Sequence, residues 1–212
     1  RHAYRGHGRG DRFHVAMRWR SCPFPEVEKH VPRAGRVLDL GCGHGAFALY
    51  LAVTAPERAV TGVDVDEAKL VSARRAAAEA DLPVRFVHAA DGALPAGPWD
   101  AITVVDVLYL LGRAAALALV DDAARALAPG GALVVKEIDV RPLWKYELAR
   151  AQEIVSTRVT RITAGTGVAF VPPGELEAAM AGAGLMVDRV PLGHGSVHPH
   201  LLFVGRREAD RG

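Results

Sequence analysis

An acidic residue followed by glycines at alternate positions, Asp39-Leu40-Gly41-Cys42-Gly43-His44-Gly45, is the part of this chain best suited to holding a ligand. Glycine has no Cβ, so backbone there turns sharply and approaches a ligand closely. Val37-Leu38 ahead of the turn reads as a strand, and Ala46–Ala52 after it reads as a helix whose first N–H groups are free. Strand, glycine turn and helix together make a cleft of phosphate or nucleoside size. A second apolar run, Ala59–Asp64, ends in a carboxylate roughly 20 residues after the glycines, where an acid accepts both hydroxyls of a ribose. Val65 stands beside it, and Asp66 is the better N-cap for the helix that follows.

Two cofactors fit such a cleft: a nicotinamide dinucleotide and S-adenosylmethionine (SAM). The dinucleotide fingerprint wants a third glycine where this chain has Ala46, a tolerated variant, so spacing leaves both open. Asp39 separates them better. A carboxylate aimed into the turn repels a pyrophosphate and suits the cationic amino-acid end of SAM. Cys42 sits in the same turn, where its small size is reason enough for it.

The run Asp39–Gly45 closely resembles motif I of the class I SAM-dependent methyltransferases. Further motifs of that family follow in its order. Val84–His88 leads to Asp91-Gly92, where the resemblance implies that Asp91 contacts the adenine amino group. Trp99–Tyr109, with Asp106 at the strand exit, matches the fourth strand, and Leu127–Val135 the turn and strand after it. The resemblance implies an α/β fold with a doubly wound, seven-stranded, mostly parallel sheet and an antiparallel last strand. It places SAM on Asp39, Gly41, Cys42, Gly43, Asp64, Val65, Asp91, Gly92 and Asp106. Tyr109 stands where many members carry His, which puts a borrowed His-base mechanism in doubt. The exit Val105-Asp106-Val107-Leu108 also lacks the Asn/Asp-Pro-Pro-Tyr/Phe run of enzymes that methylate nucleobase or amide nitrogen. The expected activity is methyl transfer to a small molecule, at oxygen first and carbon second. A SAM or nucleoside binder without transferase activity and an NAD(P)-dependent reductase are the other readings.

The elements that must position these residues follow from periodicity. Helices are expected at Glu26–Val31, Ala46–Val53, Asp66–Ala80, Ala114–Ala128 and Glu175–Ala183, alternating with strands as in a parallel sheet with helices on both faces. Residues 1–33 form a helical N-terminal segment ahead of a domain at 34–212, and a helical insertion lies around 140–170, with Pro142–Arg161 helical. Leu185–Leu192 and His200–Arg206 read as a closing hairpin whose turn carries His194 and His198. Ligands sit at the carboxyl ends of parallel strands. That edge collects Tyr109, Glu137, His198 and His200 as candidate catalytic residues, for Glu137 against a plain pairing with its neighbour Lys136. No metal is expected, because no carboxylate cluster accompanies the histidines.

Composition sets the remaining bounds. A chain of 212 residues with 50% apolar and 24% charged residues fits one globular α/β domain. No apolar run approaches the ~20 residues of a membrane span or resembles a signal peptide, and two cysteines make no disulfide framework; a cytoplasmic setting is expected. Arg1 is not Met, and the sequence leaves open whether residues precede it. Residues 1–36 hold nine Lys/Arg and three Asp/Glu, a net of +6 against −4 for the rest. Arg12, Arg18 and Arg20 with Phe13, Met17 and Trp19 suggest a basic amphipathic helix: a solvated face, or a lid meeting an anionic acceptor, an acidic carrier protein or a membrane surface. With a total charge of only +2 and few interleaved aromatics, nucleic acid is a poor fit.

Overall fold

A computed structural model describes residues 2–138, 170–192 and 200–210. Seven strands form one sheet: β1 (Gly35–Leu40), β2 (Arg58–Asp64), β3 (Arg85–His88), β4 (Trp99–Val105), β5 (Leu127–Ile138), β6 (Leu185–Leu192) and β7 (His200–Arg207). Among the described residues six α-helices accompany them: α1 (Arg9–Ser21), α2 (Phe24–Glu28), α3 (Ala46–Thr54), α4 (Glu67–Glu79), α5 (Arg113–Arg125) and α6 (Pro173–Gly182). The sheet order is β3-β2-β1-β4-β5-β7-β6, reversing direction in sequence between β1 and β4. Strands β1 to β5 pair parallel, while β7 runs antiparallel to both β5 and β6. This is the expected architecture.

Successive strand residues face opposite sides of the sheet, so each strand feeds two cores. Val37, Val60, Ala101, Val134 and Val204 point toward α2, α3 and α4, where Phe24, Val27, Phe47 and Leu70 cover them. Leu38, Val63, Ile102, Leu133 and Phe203 point the other way, under α5 and α6, with Val120, Leu176 and Met180. Burial on both faces explains why these strands are continuous apolar runs. All five parallel strands therefore end at one edge. His200, the first residue of β7, lies opposite Ile138, the last of β5, and so joins that edge.

Between β3 and β4, residues 89–98 form a turn at Asp91 and an irregular connection. Several local expectations are corrected. Strand β5 starts at Leu127, not after the Pro129-Gly130-Gly131 turn, because a register shift between Trp99 and Ala101 lets the glycines stay within the ladder. A Cβ on Gly131 would lie 2.8 Å from the Ala128 carbonyl oxygen and 2.9 Å from that of Trp99. Helix α5 accordingly ends at Arg125. Helix α2 begins two residues earlier than expected, with a proline in its first turn. Asp66 caps α4 as anticipated, its Oδ1 accepting from the N–H groups of Ala68 and Lys69. The insertion around 140–170, Pro142–Arg161, His194 and His198 lie outside the described residues.

Candidate active site

The glycine turn after β1 is tied down by the end of β2. Gly41 and Cys42 donate to the Val63 carbonyl at 2.8 and 3.0 Å. Asp64 Oδ2 accepts from the Gly43 N–H at 2.7 Å and Oδ1 from the Asp66 N–H at 2.9 Å. Gly41, Gly43 and Gly45 all have positive φ, a conformation costly for any other residue. Their surroundings differ. A Cβ on Gly41 would be 2.5 Å from Val107 Cγ2, and one on Gly45 2.7 Å from Phe86 Cζ, whereas one on Gly43 meets no protein atom nearer than 4.0 Å. The fold itself demands the first and third glycines; the second faces open space.

Asp39 is buried in β1 with its Oδ1 accepting from Thr103 Oγ1 at 2.8 Å, while its Oδ2 is buried with no hydrogen-bond partner. Burial pushes this carboxyl up to about 7. Such an atom awaits a donor. An oxygen without a partner beside open backbone at Gly43, with the Asp64 carboxylate close by, is the combination a cationic nucleoside requires, so the residues present fit SAM. Val65, more than half exposed, borders Asp64. Asp91 and Gly92 occupy the exposed turn after β3, where Asp91 Oδ1 accepts from the Ala93 N–H at 3.1 Å and Gly92 has positive φ.

The ends of β4 and β5 form a second, charged group. Asp106, a non-glycine residue at φ +56°, is buried between two cations. Lys136 Nζ lies 2.5 Å from its Oδ1 and Arg18 Nη1 2.6 Å from its Oδ2. Burial alone would raise the Asp106 carboxyl; the two cations outweigh it and hold the group well below the usual carboxylate range. Both oxygens of this expected cofactor contact are thus committed to protein cations. Lys136 pairs with Asp106 rather than with Glu137, since adjacent strand residues face opposite sides. Glu137 instead accepts the Leu108 N–H at 3.0 Å, and burial, with the Asp106 charge added, pushes its carboxyl up to about 8. Tyr109 is buried and stacked on Phe170 at 5.4 Å between ring centroids. His200 is buried at the same edge.

Helix α1 lies across both groups. Its residues Asp11, His14, Val15 and Arg18, spaced i, i+3, i+4 and i+7, are all half-buried. Asp11 accepts from Ser72 Oγ at 2.8 Å and sits 3.6 Å from His44 Nε2. His14 packs on His44 at 4.7 Å, and burial, followed by His44, lowers its imidazole to about 4. Ahead of the helix, Tyr4 Oη donates to the His44 carbonyl at 2.6 Å. Sequence reasoning missed Tyr4, His14, Thr103 and Lys136. Lys136 did carry a signal, as a lone cation closing the apolar run Leu133-Val134-Val135. Among the described residues no three His, Cys, Asp or Glu side chains are placed to hold a metal ion.

A family model described as "Methyltransferase domain" matches residues 37–131. A demethylmenaquinone methyltransferase from Thermus thermophilus is 32% identical over 209 residues, 88% of this chain and 90% of that protein. A trans-aconitate 2-methyltransferase from Methylobacterium nodulans is 38% identical over 124 residues, 57% of this chain and 45% of that protein. Among solved structures, an O-methyltransferase family protein from Burkholderia thailandensis superposes with a TM-score of 0.75 at 20% identity, over 95% of this chain and 59% of that one. The chain belongs to the class I SAM-dependent methyltransferases. It is a SAM-dependent methyltransferase, and the nicotinamide reading falls away.

Proposed function

We propose that the chain methylates a small molecule at oxygen, under a lid formed by the N-terminal segment 1–33 over a catalytic domain at 34–212. The bound cofactor supplies a methyl group on a sulfonium, open to in-line displacement. Asp39 takes the ammonium of its amino-acid end through the free Oδ2, and Gly41, Cys42 and Gly43 bring backbone against it. Asp64 takes the ribose hydroxyls with lone pairs its two N–H contacts leave over, Val65 covers the base, and Asp91 with Gly92 borders the adenine. Arg18 on α1 reaches Asp106 and the Val105 carbonyl, which supports closure over the carboxyl edge and suits a small acceptor, anionic or carrier-linked, better than a polymer.

The observation that carries the choice of oxygen is Glu137. Its carboxyl is buried at the edge where an acceptor would lie and holds a proton up to about 8. A group that gives up its proton there accepts one from a hydroxyl acceptor as the methyl group arrives. His200 and Tyr109, at the same edge, complete the candidate set. Aligning the acceptor and excluding water is the larger contribution of the protein. Methylation at carbon, on a demethylmenaquinone-like ring, is the second reading, favoured by the Thermus thermophilus relative. Incubation with methyl-labelled SAM and a panel of phenols, carboxylates and quinols tests this. Label in an ether or ester supports the first reading, and label on a ring carbon replaces it with the second.

A further inference from the structure

We propose that the outer face of α1 docks the protein on the anionic surface of a lipid bilayer. The helix has two stripes. The inward one, Asp11, His14, Val15 and Arg18, covers the site. The outward one is Arg9, Arg12, Phe13, Ala16, Met17 and Arg20, spaced at three and four residues and exposed throughout. Phe13 is 70% exposed, and Met17 39%, one helical turn further on. Trp19, 38% exposed, flanks the stripe, braced against Phe24 and Tyr50 at 5.4 and 5.1 Å between ring centroids. Three of the seven large apolar side chains exposed among the described residues therefore sit on this one helix of thirteen.

Charge says what covers the face. Most exposed arginines elsewhere meet a carboxylate: Arg74 meets Glu67, Arg75 meets Glu79, Arg113 meets Glu175 and Arg189 meets Glu177. Arg5, Arg9, Arg12 and Arg20 have no carboxylate within ion-pair distance among the described residues. Asp11, the helix's one acidic residue, turns inward to Ser72 and His44. Arg9, Arg12 and Phe13 line a shallow open hollow. Apolar side chains ringed by unpaired arginines fit the boundary between phosphate headgroups and acyl chains, where rings insert and guanidiniums meet phosphate. Two or three inserted side chains hold weakly by themselves, so binding must depend on anionic lipid. Because the opposite stripe carries Arg18 to Asp106, the same helix would join the lipid surface to the mouth of the site. This inference rests on the helix alone and stands whichever acceptor atom is methylated.

The test is flotation of the full chain with vesicles of phosphatidylcholine, with and without roughly 30% phosphatidylglycerol. Binding to the anionic vesicles should exceed binding to the neutral ones by about tenfold or more, and should fall away between about 0.1 and 0.5 M NaCl. Phe13→Ser should weaken it about tenfold, and the double variant Arg9→Glu/Arg12→Glu should remove it, with SAM affinity unchanged as the check on folding. Absence of vesicle binding by the wild-type chain overturns the proposal, as does equal binding to neutral vesicles. Self-association abolished by Phe13→Ser, without vesicle binding, would assign the face to a second copy instead. Binding confined to an acidic carrier protein would assign it to that partner.

Discussion

Arg18 Nη1 donates to Asp106 Oδ2 at 2.6 Å across a sequence separation of 88 residues. The contact joins the first helix to the end of β4, where Asp106 keeps a strained left-handed backbone. Strain of this kind persists only where neighbours over-determine it, and here Lys136 and Arg18 hold the carboxylate from two sides. Arg18→Ala should leave the fold intact, since Lys136 still neutralises Asp106, at a cost of about 1–2 kcal/mol in stability. SAM affinity should change less than about threefold, whereas turnover should fall by about 10–100-fold if α1 completes the site. Isothermal titration beside a turnover assay separates the two, and unchanged turnover would reduce the helix to packing.

If Asp39 takes the ammonium as proposed, cofactor affinity should depend on pH. Its free carboxyl titrates near 7, and an ammonium against Oδ2 would pull that value down, so binding releases a proton. Affinity for SAM should therefore climb with pH, by at most about tenfold per unit below pH 7, and level off above it. Asp39→Asn should flatten the profile at its weak end while affecting adenosine far less. A slope that survives the substitution would place the titrating group elsewhere.

Gly43 and Gly45 should fail differently. Gly45→Ala drives a Cβ to within 2.9 Å of both Phe86 and Ala73, so the fold should lose several kcal/mol, as overpacked cores do. Gly43→Ala meets open space and bears only backbone strain, about 1–2 kcal/mol. Its new methyl group would point where the cofactor is proposed to lie, so SAM binding should be lost from a folded protein. Thermal melts with and without SAM read both effects.

Glu137 links stability to pH with a definite sign. Its folded value, about 8, lies above the usual 4.5, so the folded chain holds a proton that the unfolded chain has released. The stabilisation is whole below about 4.5 and is lost as pH rises toward 8. Glu137→Gln keeps a carbonyl oxygen for the Leu108 N–H and removes the titration. It should raise stability at pH 8 by roughly 1–3 kcal/mol over wild type, with no gain at pH 4. Turnover of a hydroxyl acceptor should fall by about 100-fold or more, the scale of general-base catalysis. Chemical denaturation at the two pH values, with turnover at pH 8, checks both.

Asp64 supports the turn and is the proposed partner of the ribose hydroxyls. Asp64→Ala removes the acceptor for the Gly43 and Asp66 N–H groups and should weaken SAM binding by about 1.5–3 kcal/mol. Asp64→Asn keeps one acceptor oxygen and should recover part of that loss. Affinity unchanged in both folded variants would contradict the ribose role.

Much of the site was legible because it is local. An apolar run, a glycine turn and a capped helix are short-range features, and Asp39, Gly41, Gly43, Asp64 and Asp66 stand in the structure where their neighbours in sequence put them. The same holds for β6, whose bounds Leu185–Leu192 agree to the residue. Local periodicity also misled: the helix expected to run to Ala128 stops at Arg125, because Leu127 already pairs with Trp99 as the first residue of β5. What tertiary structure alone decided is which charges meet. Strand alternation turns Lys136 away from Glu137, but nothing along the chain says that it meets Asp106, or that Arg18 joins them. Those pairings span 30 and 88 residues and arise because parallel crossovers bring the ends of β4 and β5 to one edge while α1 folds back over it. The proton on Glu137 has the same origin. Its neighbours in sequence give no cause for a raised value; burial beside Asp106 does.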